Sequence, residues 1–330
     1  MNEVWSLAFL KNGQQLASGS HDKRVRLWDV STGEILQSFE HSSPVMGLSI
    51  SPDEKLLASS GGTQGTDFCL WSLNSFLLER RLIGHTRMVR AVAFHPSGSW
   101  LASTAEDRTV LIWSLADGTY SRMLEAHHEI IWSVTFSHSG TLLATSSHYH
   151  TAKVLNVETG ECLATLAGQS DRIFSITFSP DDAFIATTNS DGSIKIWAVE
   201  TGKCLKTILG HSGVAASGTF HPLGGHAAPL FISGGADSQI KVWDVVSSQC
   251  LQALQGHTQT VWSLAFSADG RILASGDENA TILLWDTQSW QSTKTIRLPG
   301  PYEGMNIAGV TGLSEAQKTA LYSLGAVSIK

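Results

Sequence analysis

The stretch Val4–Phe39, VWSLAFLKNGQQLASGSHDKRVRLWDVSTGEILQSF, decides the fold. VWSLAF alternates as a strand, LASGS follows a turn, VRLWDV is a third strand, and GEILQSF after the turn STG is a fourth. The unit then recurs. Trp28, Trp71, Trp113, Leu155, Trp197, Trp243 and Trp285 end third strands at spacings of 43, 42, 42, 42, 46 and 42. Phe9, Ile50, Phe94, Phe136, Phe178, Phe220 and Phe266 mark first strands at 41, 44, 42, 42, 42 and 46. Two independent registers agree on seven units, so the 330 residues do not divide into the two or three domains that length alone suggests. Each unit reads as a four-stranded meander whose early strands are apolar on both faces. Such sheets need covering on both sides, and stacking the units radially into a closed all-β ring provides it.

Composition agrees with many short strands and frequent turns, with 30 Gly and 11 Trp against only 4 Tyr. A formal charge of −7 and a pI near 6.0 give no general attraction to phosphate backbones or anionic lipid, which argues against nucleic acid and membrane partners. There is no apolar run of membrane-spanning length, and MNEVWSLAFLKNG lacks the pattern of a signal peptide, so a soluble cytoplasmic chain is expected. Cys162, Cys204 and Cys250 occupy one equivalent place in GECL, GKCL and SQCL and read as packing residues of the repeat; the remaining cysteine, Cys69, stands far from them.

Three features mark a family: GH at Gly84-His85, Gly210-His211 and Gly256-His257; LASGS; and WD at Trp28-Asp29, Trp243-Asp244 and Trp285-Asp286. At a period near 42 these resemble the WD-repeat β-propeller family over residues 1–298. The resemblance implies a seven-bladed β-propeller of four-stranded antiparallel blades, the first strand of each innermost around a channel. The blades fall at about 1–40, 41–83, 84–125, 126–167, 168–209, 210–255 and 256–298, followed by a tail at 299–330 with a short C-terminal helix.

The resemblance also implies a buried chain in each blade, in which a Trp indole reaches a hydroxyl, the hydroxyl a His, and the His an Asp. Blade three supplies His85, Ser103, Asp107 and Trp113, and blade six His211, Ser233, Asp237 and Trp243. The other blades depart from the pattern. Blade two keeps His41, Ser59 and Trp71 but has GGTQGT at the turn; blade five has Gln169 with Thr187, Asp191 and Trp197. Blade seven places Asn279 in the turn beside His257, Ser275 and Trp285. Blade four has His127 and Thr145 with Tyr149 and Leu155, and is expected to be the least rigid. Recurrence at the blade period marks these sets as structural, since a catalytic triad occurs once, beside an oxyanion hole. In blade one the expected His falls just before Met1, and blade seven ends with its own outer strand near SWQSTKTIRL. Closure is therefore expected from face-to-face packing of blades seven and one, with the chain either the end of a longer array or starting upstream.

Four residues before each first-strand anchor stand Trp5, Met46, Arg90, Trp132, Phe174, Ala216 and Trp262, near one mouth of the channel. Trp and Arg dominate protein-binding hot spots and Met adapts to varied partners, so a surface for proteins or peptides is the leading reading. Packing of the rings between blades is the other, and the position suits both. His127, His128, His148 and His150 of blade four form a candidate metal set for an alternative, a small-ligand or metal-dependent enzyme propeller. No carboxylate or Cys joins them at ligand spacing, and solvated loop histidines explain them more simply. Arg80, Arg81, Arg87 and Arg90 read as a solvated basic cluster. No P-loop, GxSxG, HExxH or EF-hand loop occurs, and no cofactor is implied.

In the tail, Ser314 and Gln317 read as a capping box, Ala316, Ala320, Leu321 and Leu324 as an apolar stripe that must dock, and Gly325 as the C-cap. The tail is similar to segments that end bacterial, especially cyanobacterial, WD-repeat arrays attached to NB-ARC-type signalling ATPases. That resemblance implies a noncatalytic scaffold or sensor in bacterial signal transduction, joined to an upstream ATPase or further WD-repeat chain.

The two kinds of blade residue differ in weight. Trp113→Ala is expected to cost about 3–5 kcal/mol for its lost burial, and Ser103→Ala about 0.5–1.5 kcal/mol for one net hydrogen bond. Chemical denaturation of both variants measures the difference, and equal losses would contradict it.

Overall fold

A computed structural model describes the chain apart from residues 1–2, 11–12, 62–65, 125–126, 149, 169–171, 224–228, 301–304, 309, 311, 324–325 and 328–330. Its strands pair in chain order into seven antiparallel sheets of four, the blades of a β-propeller. The innermost strands are Val4–Leu10, Leu48–Ile50, Val89–Phe94, Ile131–Phe136, Ile173–Phe178, Ala215–Phe220 and Val261–Phe266. Each packs beside its neighbour around the channel.

The core lies between blades. Each of seven apolar clusters joins one sheet to the next, because the second and third strands carry buried side chains on both faces. The strand-ending Trp, or Leu155 in blade four, leans on the preceding blade: Trp71 lies 4.8 Å from Phe39, and Trp113 meets Phe68 edge-on at 5.3 Å. The seam follows the same rule without a shared strand. Val4, Leu7, Leu16 and Trp28 of blade one bury against Ala274, Ile282, Leu284, Ile296 and Leu298, and Lys294 Nζ donates to Ser31 O. On the opposite face from the GH loops, His95 Nε2 bonds Gly140 O of the next blade at 2.9 Å. The Asp182 carboxylate accepts the N–H groups of His138 and Ser139 at 2.7 and 2.8 Å.

Within blade three the buried chain is complete. Trp113 Nε1–H donates to Ser103 Oγ (2.7 Å), the Ser103 hydroxyl donates to His85 Nε2 (2.7 Å), and His85 Nδ1–H donates to Asp107 (2.9 Å). Every donor has one acceptor, which fixes the His tautomer. Burial pushes the Asp107 carboxyl up, yet hydrogen bonds from His85, Thr109 and the Thr86 N–H outweigh it and hold the group well below the usual carboxylate range. Blade six repeats the chain through Trp243, Ser233, His211 and Asp237 at 2.8, 2.7 and 2.7 Å.

The incomplete blades find substitutes. His41 Nδ1–H donates to Gly61 O at 2.8 Å in blade two, and His127 Nδ1–H to Thr151 Oγ1 at 3.0 Å in blade four. Tyr149 and Gln169 lie outside the described residues; Trp197 still donates to Thr187 (3.1 Å) and Trp28 to Ser18 (2.7 Å). Blade seven corrects the reading of Asn279: His257 donates instead to Asp277 Oδ2 at 2.9 Å, and Asn279 only gives its backbone N–H to Oδ1 of the same carboxylate. Asp277 ends the second strand, two residues earlier than Asp107 does in register, and its side chain reaches the same imidazole.

Two further expectations fail. Cys162, Cys204 and Cys250 are exposed and do not pack in a core; each opens an outermost strand, opposite the strand-ending Leu155, Trp197 or Trp243, beyond the last covered layer. The helix Glu315–Ser323 forms with the expected cap, Ser314 N–H donating to Gln317 Oε1 and Gln317 N–H to Ser314 Oγ at 2.9 and 3.3 Å. The described part of its stripe is not buried, since Ala316 and Ala320 are exposed and Leu321 is only half-buried; Leu324 and Gly325 lie outside the described residues. The tail is tied instead by a parallel bridge between Asn306 and Val327, with Ile307 and Ala326 buried beside it.

Burial holds His41 down at about 4, and burial with the charges of Lys153 and His128 holds His127 at about 3. Protonation would also take from each Nε2 its role as hydroxyl acceptor. Unfolded imidazoles bind protons below about pH 6.5, so stability falls as pH drops from there toward the folded values, by about 1.4 kcal/mol per unit for each group. Thermal unfolding between pH 7 and 4.5 is expected to show this loss, with a shallower slope in His127→Gln, which carries the residue found at this place in blade five. An unchanged slope would contradict the assignment.

Candidate functional site

The repeat places one residue per blade where the innermost strand enters the ring. In blade one, Val4 pairs with Ser20 and Ser6 with Gly19, which leaves Trp5 as an extra residue in a β-bulge. The same irregularity falls on Arg90, Trp132, Phe174, Ala216 and Trp262 in blades three to seven. A bulge bends the strand and re-aims the extra side chain. Met46 lies just ahead of the short inner strand of blade two.

All seven side chains line one cavity of about 230 Å³ on the channel axis. Four rings form a continuous series: Trp5 and Trp262 at 4.6 Å between centroids, Trp262 and Phe174 at 5.9 Å, Phe174 and Trp132 at 5.4 Å. Phe174 and Trp262 touch across blade six because its bulge carries only Ala216. Arg90 extends the series, its guanidinium 4.4 Å from the Trp132 centroid and its Nη2 donating to Glu106. His148 stacks on Trp132 at 5.9 Å. The six larger side chains are half-buried, so display and packing coincide: the rings support one another and still present surface to the cavity.

Sequence reasoning missed the layer beneath. Ser6, Ser133, Ser175, Ser217 and Ser263 follow the bulged residues and line the same cavity. Ser6 Oγ accepts the Leu48 N–H (3.0 Å), Ser175 donates to Gly218 O (3.3 Å) and Ser217 to Val261 O (3.0 Å), so these serines tie neighbouring inner strands. The signal was present as a recurrent aromatic-Ser or Ala-Ser pair, but in isolation such a pair reads as ordinary strand alternation.

The structure disperses the other candidates. His127 is engaged at both nitrogens, accepting the Thr145 hydroxyl and donating to Thr151; His148 lies over Trp132; and His150 holds a turn with φ of 57°. Among the described residues no three His, Cys, Asp or Glu side chains gather where a metal would bind. The basic cluster is also divided, Arg90 facing the channel and Arg81 lying 3.8 Å from Asp67 on the outer strand. The recurring Ser–His–Asp sets present no nucleophile, because Ser59, Ser103, Ser233 and Ser275 are fully buried. No described helix is long and apolar enough to cross a membrane.

Comparison with known proteins matches this architecture. The family model described as WD domain, G-beta repeat fits residues 1–29, 33–72, 77–114, 118–156, 160–198, 202–244 and 248–286. From the second onward, each matched stretch spans the outer strand of one blade and three strands of the next. The target of rapamycin complex subunit wat1 of Schizosaccharomyces pombe is 37% identical over 100 residues, which are 29% of this chain and 31% of that protein. Cell division cycle 20.1, cofactor of APC complex, from Arabidopsis thaliana is 33% identical over 102 residues, 31% of this chain and 22% of that protein. The matches thus span a third or less of these relatives, one described as a subunit of a complex and the other as a cofactor of one. With seven matched repeats and seven four-stranded sheets, the chain belongs to the WD domain, G-beta repeat family.

Proposed function

We propose that the chain is a noncatalytic platform that binds a protein or peptide at the channel mouth. One observation carries this reading: successive β-bulges bring Trp5, Arg90, Trp132, Phe174 and Trp262 to one cavity on a frame of interlocked blades. Preset side chains of the types that dominate hot spots lower the ordering cost of binding. The names of the two relatives, a complex subunit and a complex cofactor, support a protein partner. On this reading the platform works in the cytoplasm. The likeness of the tail to segments joined to NB-ARC-type ATPases supports reading the chain as the sensor portion of a signalling protein, with an upstream ATPase or further WD-repeat chain as a partner. The yeast and plant relatives do not bear on that bacterial setting.

The test compares capture from an extract of the source cells by wild type, Trp132→Ala and Trp262→Ala, with Leu209→Ala as control because Leu209 is 86% exposed on an outermost strand. Loss of a hot-spot ring is expected to lower capture of a mouth-bound partner about tenfold or more, while the control matches wild type. An identical partner profile in all four proteins would contradict the reading.

A further inference from the structure

Aromatic rings around a cavity suit two opposite occupants: a cation held over ring faces, or an acceptor held by indole N–H groups. The polar groups at this mouth separate them. Trp5, Trp132 and Trp262 each have an Nε1–H that is shielded from solvent and meets no acceptor among the described residues. The same holds for Arg90 Nε and for the hydroxyl of Ser263, a residue only 5% exposed that lines the cavity. Four of these five groups are donors only, since indole and guanidinium N–H cannot accept. Among the described residues no Asp or Glu lines the cavity, although the chain as a whole carries a charge of −7. The place a cation would take on Trp132 is held by Arg90, whose own charge is met by Glu106 outside the lining. Buried donors without acceptors are costly, and an occupant that satisfies them recovers that cost on binding.

From this surplus of donors we infer that the mouth recognises a carboxylate on the partner peptide: the donors are covered in the present ring arrangement, so the rings turn as the peptide enters, and its carboxylate oxygens then accept from the indole N–H groups and Ser263 while apolar neighbours rest on the ring faces. The inference rests on the mouth being the binding surface, and it names the chemistry selected there. An Asp or Glu side chain and a free C-terminus supply the same group. A lysine or methyl-lysine side chain leaves every donor unmatched and meets Arg90 as a like charge.

Peptide libraries with free and with amidated C-termini, selected on the whole chain and counter-selected on Trp132→Ala, test this directly. Binders are expected to share an acidic residue or to come only from the free-ended library. Replacing that acid by its amide, or amidating the end, shows which source applies and is expected to weaken binding about tenfold or more. In 15N-labelled protein the indole N–H resonances of Trp5, Trp132 or Trp262 should move downfield with the acidic peptide and not with its amide. Trp132→Phe and Trp262→Phe keep a ring and lose the N–H, and are expected to weaken the acidic peptide more than its amide. Binders that carry Lys or Arg, or that tolerate the amide exchange, would overturn the carboxylate assignment and leave the mouth as the site. Binders that all persist on Trp132→Ala, or no binder at all, would overturn both.

Discussion

A sheet of four short strands with apolar residues on both faces cannot stand in water alone, and everything else in this protein depends on that constraint. Each blade supplies one wall of two neighbouring cores, so the stable arrangement is a closed circle in which no apolar face is left over. The Trp that ends the third strand in six blades bears much of this packing. Being large, it brings a polar N–H into the interior with it, and the hydroxyl of the second strand receives it in six blades. The His and the turn beyond it serve that hydroxyl. Blade four clarifies the hierarchy: Leu155 replaces the Trp and stays buried, no indole needs an acceptor, and the His127–Thr145 bond persists. Apolar burial comes first and the polar chain accommodates it.

The same frame explains why the channel mouth is a defined place. Side chains on a regular innermost strand alternate between the two faces of a blade and would be absorbed into the cores between blades. A bulge at the start of the strand releases one residue from that alternation in six blades, and in blade two Met46 stands ahead of a shortened strand. The neighbours of this residue remain bound: the preceding Val, Ile or Ala is buried in the core, and in blades one, five and six the following Ser bonds the adjacent strand. The released residues are the variable part of the repeat, aromatic in four blades, Arg, Met and Ala in the others. Variation there changes what the ring presents without disturbing what holds it together.

Much of this was legible before any coordinates. The spacing of Trp28 to Trp285 marks seven units, and the positions before the first-strand anchors locate the mouth, because both are periodic and periodicity survives local variation. What escaped was chemistry that the period does not carry. Asp277 replaces an expected turn residue from two positions away, since a buried His accepts any carboxylate within reach. The repeated Cys looked internal by its register, but an outermost strand has the same register as an inner one and no blade beyond it. The helix stripe of Ala316 and Ala320 looked like a docking face, though small apolar residues also lie exposed at modest cost. The bulges were invisible because one extra residue leaves the apolar pattern of VWSLAF intact.

The central claim is that blade one closes on blade seven face to face, without a shared strand, and with the strength of any other boundary between blades. Native-state amide hydrogen exchange tests it most directly. The account predicts that the inner amides of Val4–Leu10 and Val261–Phe266 are protected to the same extent, and lost in the same opening event, as those of Ile131–Phe136 and Ile173–Phe178. Separate, easier opening of blades one and seven would show an arc with a weak join, and would contradict a closed ring and the shared mouth that it frames.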